Sequence, residues 1–195
     1  MAPPPQPNPG ELSGPQWVAR FPTSTSTVDL VQPFRAAVDR FISAMRVAGA
    51  RVTISATYRP PERAYLMHYS YGIAREGLDP RNVPARGGVN IRWLHTDAQG
   101  RPDLPASRNA ASQMVDGYQI AYRPALTSRH TEGRAIDMNI SWQGDLVITD
   151  ANQQQVTITS TPRTGAGNTD LHAVGATFGV IKLVTDPPHW SDDGH

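Results

Sequence analysis

Leu30, Phe34, Val38, Phe41, Ile42 and Met45 recur at the three-to-four-residue spacing of one helical face. The pattern predicts an amphipathic helix within 27–49, with Pro33 near its first turn, where a missing N–H is tolerated, and a stop near Gly49. The period then falls to two. "RVTISATYR" (51–59) alternates and is rich in β-branched residues, which predicts a strand, and Pro60 and Pro61 after it can open a helix over "PERAYLMHYSYGIAREG". Residues 77–106 carry Gly, Pro and Asp without periodicity and read as a long surface excursion, followed by a helix over 107–121. "AIDMNISW" then reads as a strand, and "DLVITDANQQQVTIT" as two short strands joined by a polar turn. "NTDLHAVGATFGV" has a cap residue and a late glycine, the marks of a short helix, before a last apolar strand, "VIKLV". Helices alternating with mostly hairpin-connected strands predict an α+β fold, a small central antiparallel sheet flanked by helices.

The first 25 residues stand apart, since "APPPQPNPGELSGP" is Pro-rich and predicts an extended, flexible tether. One domain is expected over 26–195. A net charge of +1, with Lys182 as the single lysine and no basic block, gives no footprint for nucleic acid. No run of about 18 apolar residues is present, so no membrane span is expected, and the start lacks the basic-then-apolar order of a signal peptide. The absence of cysteine changes the chemistry most. Neither a disulfide nor a thiolate site can form, and any transition metal must be held by His, Asp or Glu.

Six histidines are available, and two have unusual surroundings. His130 lies in "SRHTEGRAID" (128–137), where Gly133 can supply a tight turn and the chain then enters a strand that puts Ala135 and Asp137 on one face. Such a turn can fold His130 back over Asp137, with small Ala135 leaving room for an ion. His189 lies in "DPPHW" (186–190), where prolines bias Asp186 and Pro187 towards a stiff extended backbone. Two histidines and one carboxylate leave the fourth position of a tetrahedral zinc open, the arrangement of a catalytic site, and Asp186 becomes the candidate general base. His68 and His95 lack ligand spacing, His172 on its predicted helix is expected to pack or cap, and His195 is terminal.

Together, "SRHTEGRAID" and "DPPHW" resemble the zinc peptidases of peptidoglycan stems: VanY- and VanX-like D-Ala-D-Ala carboxypeptidases and dipeptidases, and the L-alanyl-D-glutamate endopeptidases of phage lysins. Their pattern is S-x-H-x-x-G-x-A-x-D followed by E/D-x-x-H. Ser128, His130, Gly133, Ala135 and Asp137 match the first part, and Asp186 and His189 the second. "SATYRPPERAY" adds Tyr58 and Arg59 where those families carry an arginine after a strand, although Pro60 replaces the usual small polar residue.

The resemblance implies a hedgehog-type fold with one zinc per chain on the sheet, held by His130, Asp137 and His189. It implies that Asp186 takes a proton from the attacking water and passes it to the leaving amine, and that Arg59 polarises the peptide carbonyl. Ser128, Tyr58 and Trp190 are the expected substrate-binding residues, with Trp190 equally suited to the core. Peptidoglycan stem peptides are the implied partner, and the bacterial cell wall, periplasmic or extracellular, the implied place of action, reached by phage-lysin-like or effector-like delivery. Asp186 in place of the commoner Glu is closer to the endopeptidases, so endopeptidase cleavage is favoured over D,D-carboxypeptidase cleavage. The alternative is a zinc-containing, non-catalytic binding module of the same fold. The stretch 77–127 and the hairpin within 141–160 exceed the minimal family core.

Overall fold

The computed structural model describes residues 10–195. In chain order its strands and α-helices are β1 (Glu11–Leu12), α1 (Phe34–Val47), β2 (Arg51–Ala56), α2 (Pro61–Arg75), β3 (Ile91–Arg92), β4 (His95–Thr96), β5 (Pro102–Asp103), α3 (Leu104–Tyr118), β6 (Ala135–Ser141), β7 (Leu146–Thr149), β8 (Gln155–Ile158), α4 (Thr169–Thr177), β9 (Ile181–Lys182) and β10 (His189–Ser191). The fold is α+β, as the alternating periodicities predict. Among the described residues no helix is long and apolar enough to cross a membrane.

The described chain divides into two units, each with its own core. One comprises residues 10–22 and Pro60–Leu126. In it α2 and α3 bury Tyr65, Leu66, Ile73, Ala111 and Met114 together with Trp17 and Trp93. Two expectations change here. Residues 1–9 of the expected tether lie outside the described residues, but from Gly10 to Pro22 the segment is built into this unit: β1 pairs in parallel with β3, and Trp17 is 2% exposed. The reason is local. Pro15 opens a 3-10 turn that ends at Trp17, and the indole N–H donates to the Leu12 carbonyl at 3.0 Å. Likewise the expected surface excursion buries Val89 and Trp93 and carries β3, β4 and β5.

The second unit comprises Thr23–Arg59 and Thr127–His195. Its sheet has the order β2-β6-β10-β9, every neighbouring pair antiparallel. Ile136, Met138 and Ile140 of β6 point to one face, where they meet the stripe Phe34, Val38, Phe41, Ile42 and Met45 of α1. The helix starts at Phe34 rather than Thr27, because residues 27–29 form a separate 3-10 turn capped by the Ser26 hydroxyl. The β7–β8 hairpin and α4 complete this core through Leu146, Ile148, Ile158, Leu171 and Val174. Asn168 caps α4 by accepting from the Leu171 N–H at 2.9 Å. The opposite face of β6 bears Asp137, Asn139 and Ser141, which are not buried.

Candidate metal centre

Strand alternation and register bring the site together. On β10, His189 stands directly opposite Asp137 of β6, and opposed residues in an antiparallel pair hold their side chains side by side. His130 arrives from the turn before β6. That turn is closed by the Glu132 N–H on the Ser128 carbonyl at 3.1 Å and the Arg134 N–H on the Arg129 carbonyl at 2.8 Å. Gly133 makes the reversal possible with φ of +69°, and a Cβ there would lie 3.2 Å from the Asp29 carbonyl oxygen. The Arg59 N–H donates to the His130 carbonyl at 3.0 Å and ties the turn to the chain beyond β2. Arg129 pairs with Glu132 at 2.6 Å and with Asp193, joining the same turn to the chain after β10.

Three ligand atoms converge. His130 Nε2 lies 3.1 Å from Asp137 Oδ1 and 3.1 Å from His189 Nδ1, and His189 Nδ1 lies 3.2 Å from Asp137 Oδ1. Two ligands at zinc bond lengths of about 2.1 Å and near-tetrahedral angles stand roughly 3.4 Å apart, so this triangle comes close to fitting one ion. His130 and His189 are buried, at 5% and 7% exposure. The far nitrogen of each ring faces a carbonyl oxygen: His130 Nδ1 donates to Thr57 at 2.6 Å and His189 Nε2 to His195 at 3.1 Å. Carbonyls only accept, so in the neutral rings the proton sits on the far nitrogen and the lone pair faces the triangle.

Electrostatics agree with that arrangement. Burial pushes the Asp137 carboxyl upward, but hydrogen bonding and charge interaction with His130 and His189 outweigh it and hold it below the usual carboxylate range. Burial disfavours a charged His189, yet the Asp137 carboxylate beside it raises its pKa. A cation or a proton is therefore welcome among these three atoms. Among the described residues they form a group whose ligand atoms all lie within 4.8 Å and which could hold a metal ion.

An open cavity of about 490 Å³ lies over the triad, and Arg59, Ser128, Asp186 and His195 also line it. Asp186 and Arg59 are thus brought to the same cavity as the triad. Ser128 is there too, but its hydroxyl accepts from the Thr131 N–H at 3.4 Å, which gives it a part in the turn. Tyr58 does not line the cavity, and its carbonyl accepts from the Ser24 N–H at 2.8 Å. Of the two places expected for Trp190, the structure shows the core and not the substrate cavity. The indole is fully buried against Phe41, with ring centroids 5.5 Å apart, because the residue after His189 on a strand must face the other way. The stiff extended segment expected at 186–188 is corrected. The His189 N–H donates to the Asp186 carbonyl at 3.1 Å, closing a β-turn over Pro187 and Pro188.

Lys182 is the site residue that sequence reasoning missed. From β9 its ammonium donates to the carbonyls of Leu183 at 2.5 Å, Asp186 at 2.5 Å and His189 at 3.1 Å, so one charge gathers the loop that carries both Asp186 and His189. Burial lowers its pKa, with Asp186 and Asp137 opposing that shift. Being the lone lysine among 18 basic residues was the available signal. The carbonyls of Thr57 and His195 were not foreseeable, since backbone acceptors carry no residue-type signature.

Compared with protein-family models and with curated proteins, the chain finds no match. A metal-dependent reading therefore rests on the site and its chemistry, and the choice of substrate on the resemblance of the two motifs.

Proposed function

We propose that this chain is a zinc-dependent metallopeptidase that hydrolyses peptide bonds in peptidoglycan stem peptides, as an endopeptidase rather than a D,D-carboxypeptidase, and acts at the bacterial cell wall. The observation that carries it is the convergence of two imidazole nitrogens and one carboxylate oxygen beneath an open cavity that Asp186 and Arg59 share. Zinc suits the donor set, since imidazole and carboxylate are its ligands when thiolate is absent and three protein ligands leave a position for substrate chemistry. When bound there, zinc supplies Lewis acidity and brings the acidity of a water near neutral pH.

The rest falls to the chain. Asp186, exposed at the cavity wall, accepts the proton of the attacking water and returns it to the leaving amine. Arg59 faces the negative charge that develops on the scissile carbonyl oxygen. Ser128 offers a hydroxyl to the substrate backbone. Thr57 and His195 hold the imidazoles in one tautomer, and Lys182 holds the Asp186 loop in place. Asp in place of Glu at position 186 resembles the endopeptidases, and that resemblance is what favours the endopeptidase assignment.

Substitution of Asp186 by Asn separates this reading from a zinc-containing binding module. The account expects hydrolysis of stem peptides to fall by about 10²–10⁴-fold with metal content unchanged. Equal turnover by the variant and the parent protein would remove Asp186 from the chemistry.

A further inference from the structure

The face of the sheet that bears the triad does not end at Asp137. On β6 the residues Asp137, Asn139 and Ser141 share that face, and the register of β2 adds Thr53 opposite Asn139 and Arg51 opposite Ser141. All four of the latter are exposed. A second cavity, of about 460 Å³, lies over them, walled by Thr164 and Pro187. Pro187 follows Asp186, so the two cavities flank a single peptide bond of the loop.

The lining has a definite chemistry. No carboxylate lines this second cavity, its polar groups are hydroxyls and an amide, and its one charge is Arg51. The Arg51 guanidinium, like those of Arg40, Arg86, Arg92 and Arg108, has no hydrogen-bond or ion-pair partner among the described residues, whereas Arg20, Arg75, Arg81, Arg101, Arg123 and Arg129 are paired with acids; of the unpaired ones Arg51 alone lies on the face of the sheet that bears the triad. A guanidinium without an internal partner, over neutral donors and acceptors, suits a carboxylate that comes from outside.

We infer that this open sheet face is an extension of the substrate cleft, a subsite in which Arg51 takes a side-chain or terminal carboxylate of an acidic peptide. The inference rests on the peptidase reading only for the position of the scissile bond at the triad. From Asp137 to Ser141 the strand advances about 13 Å at roughly 3.3 Å per residue, a span that an extended peptide covers in about four residues. The subsite therefore selects peptides with an acidic group three to five residues from the bond cut. Arg51 is a specificity residue and takes no part in bond breaking.

The test uses synthetic peptides with Glu, Gln or Lys at the third, fourth or fifth residue from the cleaved bond, on either side of it. Zinc-loaded protein is compared with its Arg51→Gln and Arg51→Glu variants, whose exposed position at the start of β2 leaves the core intact. The parent protein should prefer one Glu peptide over its Gln counterpart by about fivefold through KM, the scale of an exposed ion pair. Arg51→Gln should abolish that preference with kcat unchanged, and Arg51→Glu should turn it towards Lys. A Glu preference that survives in Arg51→Gln, or none in the parent, overturns the subsite. Fluorescence anisotropy of the same peptides on zinc-loaded Asp186→Asn protein distinguishes the two claims. Arg51-dependent binding without hydrolysis by the parent protein would uphold the subsite and sink the peptidase, while hydrolysis without Arg51 dependence would do the reverse.

Discussion

His130 Nε2 and His189 Nδ1 face each other at 3.1 Å, each ring having turned its other nitrogen to a carbonyl oxygen. Two lone pairs and the Asp137 carboxylate so close together repel unless something positive lies among them. The protein holds this arrangement through strand register and a glycine turn, so the triad is a preorganised group that could hold a metal ion.

One zinc ion per chain is the expected stoichiometry. Asp137→Ala removes a ligand and its charge, and should weaken zinc binding by more than about 100-fold, beyond the range of losses seen when only a residue supporting a ligand is changed. Native mass spectrometry over a zinc titration reads this directly. A variant that binds zinc as tightly as the parent would place the ion elsewhere.

Zinc affinity should fall as pH drops through the raised pKa of His189, since a proton on Nδ1 occupies the place of the ion. Metal-stripped protein gives the complementary result. Asp137, with a depressed pKa, contributes stability above the unfolded carboxylate value of about 3.9 that is lost as pH falls through its folded value. His189, with a raised pKa, contributes stability below the unfolded value of about 6.5 that is lost as pH rises through its folded value. Thermal unfolding of the stripped protein should therefore show its optimum at weakly acid pH, and zinc should move that optimum upward. An optimum that zinc does not move would count against the triad as the binding site.

Gly133→Ala should destabilise the protein by about 1–2 kcal/mol from the left-handed backbone alone, and the approach of the new Cβ to Asp29 adds to that. Denaturant unfolding measures it. Because the turn delivers His130, zinc affinity should fall in the same variant, and a loss of stability with unchanged zinc affinity would show that the turn does not set the histidine.

The elements and the triad were readable because each leaves a periodic or residue-type mark. The α1 stripe, the alternation of β2 and β6, and the glycine between His130 and Asp137 are all local patterns. What escaped depends on partners distant in sequence. Trp17 looks like part of a proline-rich leader until the core around Met114 is present to receive it. Trp190 looked available to a substrate, although the face of β10 assigned to His189 already committed its neighbour to the core. Lys182 showed only as a rarity, since its three acceptors are backbone carbonyls. Two prolines at 187 and 188 predict a stiff extended segment, whereas the fixed φ of Pro187 also suits the first central position of the turn it occupies.

Mass spectrometry of purified muropeptides tests the central claim most directly, with zinc-loaded protein, a chelated control and the Asp186→Ala variant side by side. The account predicts new stem-peptide fragments from the zinc-loaded parent alone, cut within the stem rather than at its terminal residue. Intact muropeptides in all three samples, from protein shown to carry one zinc per chain, would contradict it.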